Sequence, residues 1–282
     1  MTEHRIDRPD GRSLAIHDAG DPAGPVVALC HPAPGSRLLD PDPAATAAAG
    51  VRLVSVDRPG YGGSTPIPDG TVPTIPAFAD DMAAALDALG TGPAALVGWS
   101  AGGRIALAVA GRRPDLARAV AVVGTPAPND AVPWIPDAYL AQIDQLRADP
   151  GHATGVMTQA LAPTTDPAAV GVLGAGPADE DALGADPSRR ARLEAMLAEG
   201  FAQGAAGVAA DIVSYTVADW GFDPGAVAAP TTAFYGDADE IVTPAHGEWY
   251  AGQVPGARLR TVPGEGHLVA MTRWGEVLAA VA

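Results

Sequence analysis

Short, largely apolar runs punctuate the chain, and longer stretches with apolar side chains three or four positions apart separate them. Val26-Val27-Ala28-Leu29-Cys30, Val51 to Val56, Ala94-Ala95-Leu96-Val97, Ala119 to Val123 and Thr231 to Tyr235 are such runs, and Arg258 to Val262 is a more polar one. Runs of this length without polar alternation suit strands buried on both faces of a parallel sheet. An alanine-rich stretch to about Ala49, then Ile75 to Leu89, the segment after Ser100, Pro244 to Gln253 and Leu268 to Val281 read as helices. In the second of these Phe78, Met82, Ala85, Leu86 and Leu89 share one face. Arg5 to Asp18 predicts a hairpin with its turn at Asp10-Gly11. The order is a hairpin followed by alternating strands and helices, which predicts an α/β fold with a mostly parallel sheet and an antiparallel edge.

The alternation stops after Ala119 to Val123. From about Asn129 to Ala229 the pattern is helical only, over Asp137 to Arg147, His152 to Leu161, Ser188 to Gln203 and Ala205 to Trp220. Pro163 to Pro187, rich in Pro, Gly and Asp, is expected to be irregular. The expected organisation is therefore a core of residues 1–128 and 230–282 with an inserted helical cap, 129–229.

Composition narrows the partners. The 282 residues carry 33 acids against 17 basic side chains, a formal charge of −16. All the basic residues are arginine; there is no lysine. Such a balance argues against nucleic acid and anionic membranes as partners. The N-terminal stretch from Met1 to Asp7 lacks a signal-peptide apolar core, and no apolar run is long enough to span a bilayer. With Cys30 as the single cysteine, no internal disulfide can form. The expectation is a cytoplasmic protein without metal or cofactor, since no cluster of ligating residues is spaced for one. Oligomeric state is not legible.

The chemistry gathers at the ends of strands. Gly98-Trp99-Ser100-Ala101-Gly102 lies between an apolar strand and a helix, the G-x-S-x-G of a sharp turn that projects a hydroxyl. A serine needs a base, and the base a carboxylate. His267 follows the strand Arg258 to Val262; Asp239 follows Thr231 to Tyr235, with Asp237 and Asp130 as rival acids. Post-strand loops of a parallel sheet open at one edge, so these groups would converge.

With these motifs the chain resembles the α/β-hydrolase fold superfamily, in its serine-triad branch with a helical cap. His31-Pro32-Ala33-Pro34-Gly35, Asp57 to Ser64, Gly98 to Gly102, and Gly236-x-x-Asp239 with Gly266-His267 carry the resemblance. It implies Ser100 as nucleophile, His267 as general base and acid, and Asp239 as the orienting acid, because Asp239 fits the family's G-x-x-D. It also implies an oxyanion hole from the N–H groups of Ala33 and Ala101. Pro32 stands where the family usually has glycine, which alters the loop beside that hole.

The resemblance implies hydrolysis of a small-molecule ester, thioester or lactone through an acyl-enzyme on Ser100. Alternatives are an acyltransferase or cyclase of secondary metabolism using the same triad, and a non-catalytic ligand-binding homologue. Serine at the elbow separates the chain from the related dehalogenases and epoxide hydrolases, which use aspartate. Expected pocket residues are His31, Tyr61, Trp99, Trp134, Met196 and Trp220, with His31 read as a brace for the oxyanion loop in preference to a catalytic group. His4, His17, His152 and His246 are assigned no catalytic role, nor is Arg58.

Overall fold

A computed structural model describes residues 2–282. Eight strands form one sheet in the order β1-β2-β4-β3-β5-β6-β7-β8. They are β1 (Thr2–Asp7), β2 (Ser13–Gly20), β3 (Val26–Cys30), β4 (Arg52–Val56), β5 (Ala94–Trp99), β6 (Ala117–Val123), β7 (Thr231–Gly236) and β8 (Arg258–Val262). β1 and β2 pair antiparallel at one edge, β2 joins β4 antiparallel, and every other pairing is parallel. The fold class is the one the hydrophobic pattern predicts.

The central strands are buried on both faces, and their alternation assigns each side chain to a side. Ala94 and Leu96 join one core with Ala28, Val120 and Val122, while Ala95, Val97 and Trp99 join the other with Leu29, Ala121 and Val123. The first core is covered by α2 (Ile75–Ala88) and α3 (Ala101–Arg112), the second by α1 (Pro43–Ala49) and by two short C-terminal helices. Cys30 closes β3 at 2% exposure, and burial pushes its thiol up to about 12.

Local chemistry sets the helix ends. Asp42 caps α1 by accepting from Ala44 and Ala45, Pro43 opens the helix, and Gly50 ends it at φ 60°. Thr74 caps α2 through Ala77.

Between β6 and β7 run α4 (Asp137–Ala148), α5 (Pro150–Leu161), α6 (Pro177–Ala185), α7 (Pro187–Gly200) and α8 (Ala206–Thr216). Three expectations change here and beyond. Pro163 to Pro187 is not wholly irregular: it contains a short 3-10 turn at Val170–Leu173 and all of α6. Pro177 starts α6, and the Asp179 carboxylate accepts from the Gly176 N–H, a start signal present in the sequence. The helix expected to Trp220 stops at Thr216, where the Trp220 indole donates to the carbonyl of Tyr215 and Gly221 takes φ 64°. After β7 come α9 (Pro244–Gln253), then α10 (Val269–Thr272) and α11 (Trp274–Val281); the single terminal helix expected is broken at Arg273, whose backbone turns to φ −123° while its side chain bonds Glu265.

A buried contact ties the helical block to the sheet. Arg58 in the loop after β4 meets Asp211 on α8 through Nε at 2.8 Å and Nη2 at 2.6 Å, and the Tyr61 hydroxyl donates to the same carboxylate at 2.7 Å. Among the described residues no helix is long and apolar enough to cross a membrane.

Candidate active site

Ser100 sits between β5 and α3 with φ 53° and ψ −123°, the one non-glycine residue with positive φ among those described. Such a conformation costs of order 1–3 kcal/mol and survives only where neighbours enforce it. Close packing enforces it here: a Cβ on Gly102 would lie 2.0 Å from the carbonyl oxygen of Cys30. The turn can form only because α3 approaches β3 through glycine.

The three groups expected to converge do so. The Ser100 hydroxyl lies 3.1 Å from His267 Nε2, and His267 Nδ1 donates to Asp239 Oδ2 at 2.7 Å. Asp239 Oδ1 accepts from the N–H of Ile241 and of Val242, at 3.0 and 2.8 Å. Burial pushes the Asp239 carboxyl up, but the His267 hydrogen bond and charge and the two backbone donors outweigh it, leaving the group below its ordinary value. The rivals stand apart: Asp237 is exposed and accepts from Gly264, and Asp130 is exposed.

The backbone of His267 is fixed at both its polar groups. The Trp99 indole donates to its carbonyl at 3.0 Å. Asp179, on α6 and 2% exposed, accepts from its N–H at 3.0 Å and from that of Leu268 at 2.8 Å. Gly266 makes room, since a Cβ there would meet Asp179 Oδ2 at 2.3 Å. Asp179 lies within the stretch expected to be irregular, and its partners at the site are backbone groups 88 and 89 residues away, which no side-chain pattern signals.

A cavity of about 180 Å³ opens on Ser100, lined by Ala33, Ala101, Arg104, Trp134, Tyr215 and His267 among others. Ala101 begins α3, so its N–H has no acceptor within that helix. The loop carrying Ala33 is braced despite Pro32: Arg58 donates to the carbonyls of His31 and Pro32 at 2.7 and 2.8 Å. His31 Nδ1 donates to Pro32 O at 2.7 Å and Nε2 accepts from the Arg58 N–H at 3.3 Å. Burial and the Arg58 charge hold His31 well below its ordinary value, so it stays neutral.

Of the six expected pocket residues only Trp134 lines this cavity. His31 is the fully buried brace just described. Tyr61 is spent on Asp211, Trp99 on the His267 carbonyl, and Met196 on the core beside Leu193 and Leu197. Trp220 stacks on Phe222 and lines an adjoining cavity of about 150 Å³. Arg104, which sequence reasoning did not single out, lines both; its signal was its place one helical turn after Ser100.

The sheet order, the strained serine at the end of β5 and the acid and histidine after β7 and β8 define an α/β-hydrolase. The chain belongs to the alpha/beta hydrolase fold family, whose profile matches residues 25–273, and it is an enzyme of that family. It is similar to pimeloyl-(acyl-carrier protein) methyl ester esterase of Chromobacterium violaceum, 31% identical over 230 residues that cover 80% of this chain and 81% of the relative. Bifunctional epoxide hydrolase 2 of Sus scrofa is 36% identical over 117 residues, 40% of this chain and 20% of the relative. Among solved structures, a hydrolase from Pseudomonas aeruginosa PA01 superposes with a TM-score of 0.75 at 26% identity, covering 99% of this chain and 96% of that one.

Proposed function

We propose that this enzyme is a serine hydrolase of carboxylic esters, thioesters or lactones, working through an acyl-enzyme on Ser100. The observation that carries the reading is the 3.1 Å approach of Ser100 Oγ to His267 Nε2, with Nδ1 of the same ring on Asp239. His267 takes the hydroxyl proton as Oγ attacks the carbonyl carbon. The oxyanion that forms is held by the N–H groups of Ala33 and Ala101, each such donor being worth about 2.7–4 kcal/mol. His267 then returns the proton to the leaving alkoxide or thiolate. Water, deprotonated by the same nitrogen, releases the acid. Asp239 keeps Nδ1 protonated and stabilises the imidazolium. Residues 129–229 act as a cap over residues 1–128 and 230–282, and the small volume beside Ser100 suits a short acyl group. The esterase relative and a serine, not an aspartate, at the elbow favour ester chemistry over epoxide opening.

A fluorophosphonate probe and p-nitrophenyl acetate test the reading. Wild-type protein should be labelled at Ser100 and release nitrophenol, and Ser100→Ala should do neither. A wild-type protein inert to both would sink the proposal and favour a ligand-binding role.

A further inference from the structure

Three arginines are buried in this protein, Arg12 at 7%, Arg58 at 5% and Arg104 at 1% exposure. Two are paired. Arg12 bonds Asp81 through Nη1 and Nη2, at 2.6 and 2.9 Å, and Arg58 bonds Asp211. Arg104, the deepest, has no carboxylate within 4.0 Å among the described residues. Its Nη2 donates to the carbonyl of Pro126 at 2.8 Å, and its Nε has no acceptor. The rings of Tyr215, Trp220 and Trp134 stand 4.3, 5.2 and 5.9 Å from the guanidinium carbon.

The position of this charge matters. Arg104 follows Ser100 by four residues, about 6 Å along the axis of α3, and both line the 180 Å³ cavity. Arg104 is the one permanently charged side chain in that lining. Asp130 and Asp219 line only the adjoining cavity and make no ion pair with it. A guanidinium out of water needs a counter-charge, and aromatic faces supply only part of one. The fork geometry of arginine suits carboxylate and phosphate alike, and a cavity of about 180 Å³ that must also hold the scissile group favours the smaller of the two.

We propose that Arg104 is the counter-ion for a carboxylate carried by the substrate. The enzyme then acts on esters, thioesters or lactones that bear a second, free carboxylate a few bonds from the scissile carbonyl. This rests on the reading of Ser100 as nucleophile. The substrate class is the half-ester of a short dicarboxylic acid, or an ester whose alcohol carries the acid group.

Two measurements test it. In the first, kcat/KM is compared for p-nitrophenyl butyrate, mono-p-nitrophenyl glutarate and the butyryl ester of 4-hydroxybenzoate. One of the charged esters should exceed the neutral one at least tenfold in wild type, on the acyl or on the alcohol side, and that ratio should fall at least tenfold in Arg104→Met. Arg104→Lys, which keeps the charge without the fork, should lose part of it and serves if the Met variant does not fold. A ratio unchanged by either substitution, or a wild type that prefers butyrate, overturns the proposal. The second measurement does not need catalysis. Malonate, succinate, glutarate and adipate are titrated calorimetrically into Ser100→Ala protein, with butyramide as the uncharged control. At least one diacid should bind tenfold more tightly than butyramide and lose that margin in Ser100→Ala/Arg104→Met. If wild type proves inert to esters but the diacids bind through Arg104, the nucleophile reading fails and the anion site stands. If no diacid outbinds butyramide, the anion site fails whatever Ser100 does.

Discussion

Replacing Asp179 with alanine removes the acceptor shared by the amide N–H groups of His267 and Leu268, and that of the half-buried Gly176 N–H. His267 and Leu268 are buried, at 4% and 1% exposure. A buried donor left unpaired costs about 1–3 kcal/mol, so two cost about 2–6 kcal/mol if nothing moves. The loop relieves part of that by shifting toward water, and the shift carries the imidazole that must stay 3.1 Å from Ser100 Oγ. A displacement of about 1 Å at a reacting group costs on the order of 100-fold in rate. The expected kcat is therefore about 10- to 100-fold below wild type. KM should stay within about threefold, because Asp179 does not line the cavity at Ser100. The melting temperature should fall by about 3–6 °C, from the unrelieved 2–3 kcal/mol. Asp179→Asn retains one acceptor oxygen and should fall between. Steady-state kinetics on p-nitrophenyl acetate, the rate of fluorophosphonate labelling and thermal unfolding by circular dichroism read the three quantities. A variant that melts early but keeps kcat within twofold of wild type would refute the positioning argument and leave Asp179 a purely structural clamp.

Other outcomes follow from the same geometry. Ser100→Gly should abolish labelling yet raise the melting temperature by about 2 °C, since glycine relieves about 1 kcal/mol of strain at φ 53°. Asp239→Asn should lower kcat by about 10⁴-fold through loss of the working tautomer. Its stability deficit should also be pH-dependent. A carboxylate held below its ordinary value of 3.8 contributes fully above that value and loses its contribution as pH falls through the depressed one. The gap between wild-type and variant melting temperatures should thus be widest at neutral pH and close in acid. Asp211→Asn should cost about 3–5 kcal/mol by stranding Arg58, while Arg58→Met/Asp211→Leu recovers much of it, read by urea unfolding.

The parts legible in the sequence were those written as side-chain pattern. Ser100, Asp239 and His267 each follow an apolar run, and parallel strands bring such positions to one edge. Helix α6 was hidden by its own composition, because Pro and Gly that read as loop signals also open and precede a helix. Asp179 was hidden more deeply: its partners are main-chain amides, which every residue has. The pocket failed for a different reason. Tyr61, Trp99 and Met196 are large and apolar enough to line a cavity, but the same property makes them core residues, and nothing local to them distinguishes the uses. Arg104 carried a signal in its spacing from Ser100. Its meaning came only with the third dimension, where its guanidinium faces rings instead of an acid.

Cys30 has a practical consequence. Its thiol is buried and pushed up to about 12 by that burial, which disfavours the reactive thiolate at neutral pH. The native chain is therefore nearly silent to maleimides, with no need to remove its cysteine. A single cysteine introduced at an exposed site such as Tyr139 or Val156, at 57% and 44% exposure on α4 and α5, would take a spin label or fluorophore alone. A second on the sheet would turn the separation of these helices from the sheet into a measurable distance, with and without the fluorophosphonate probe.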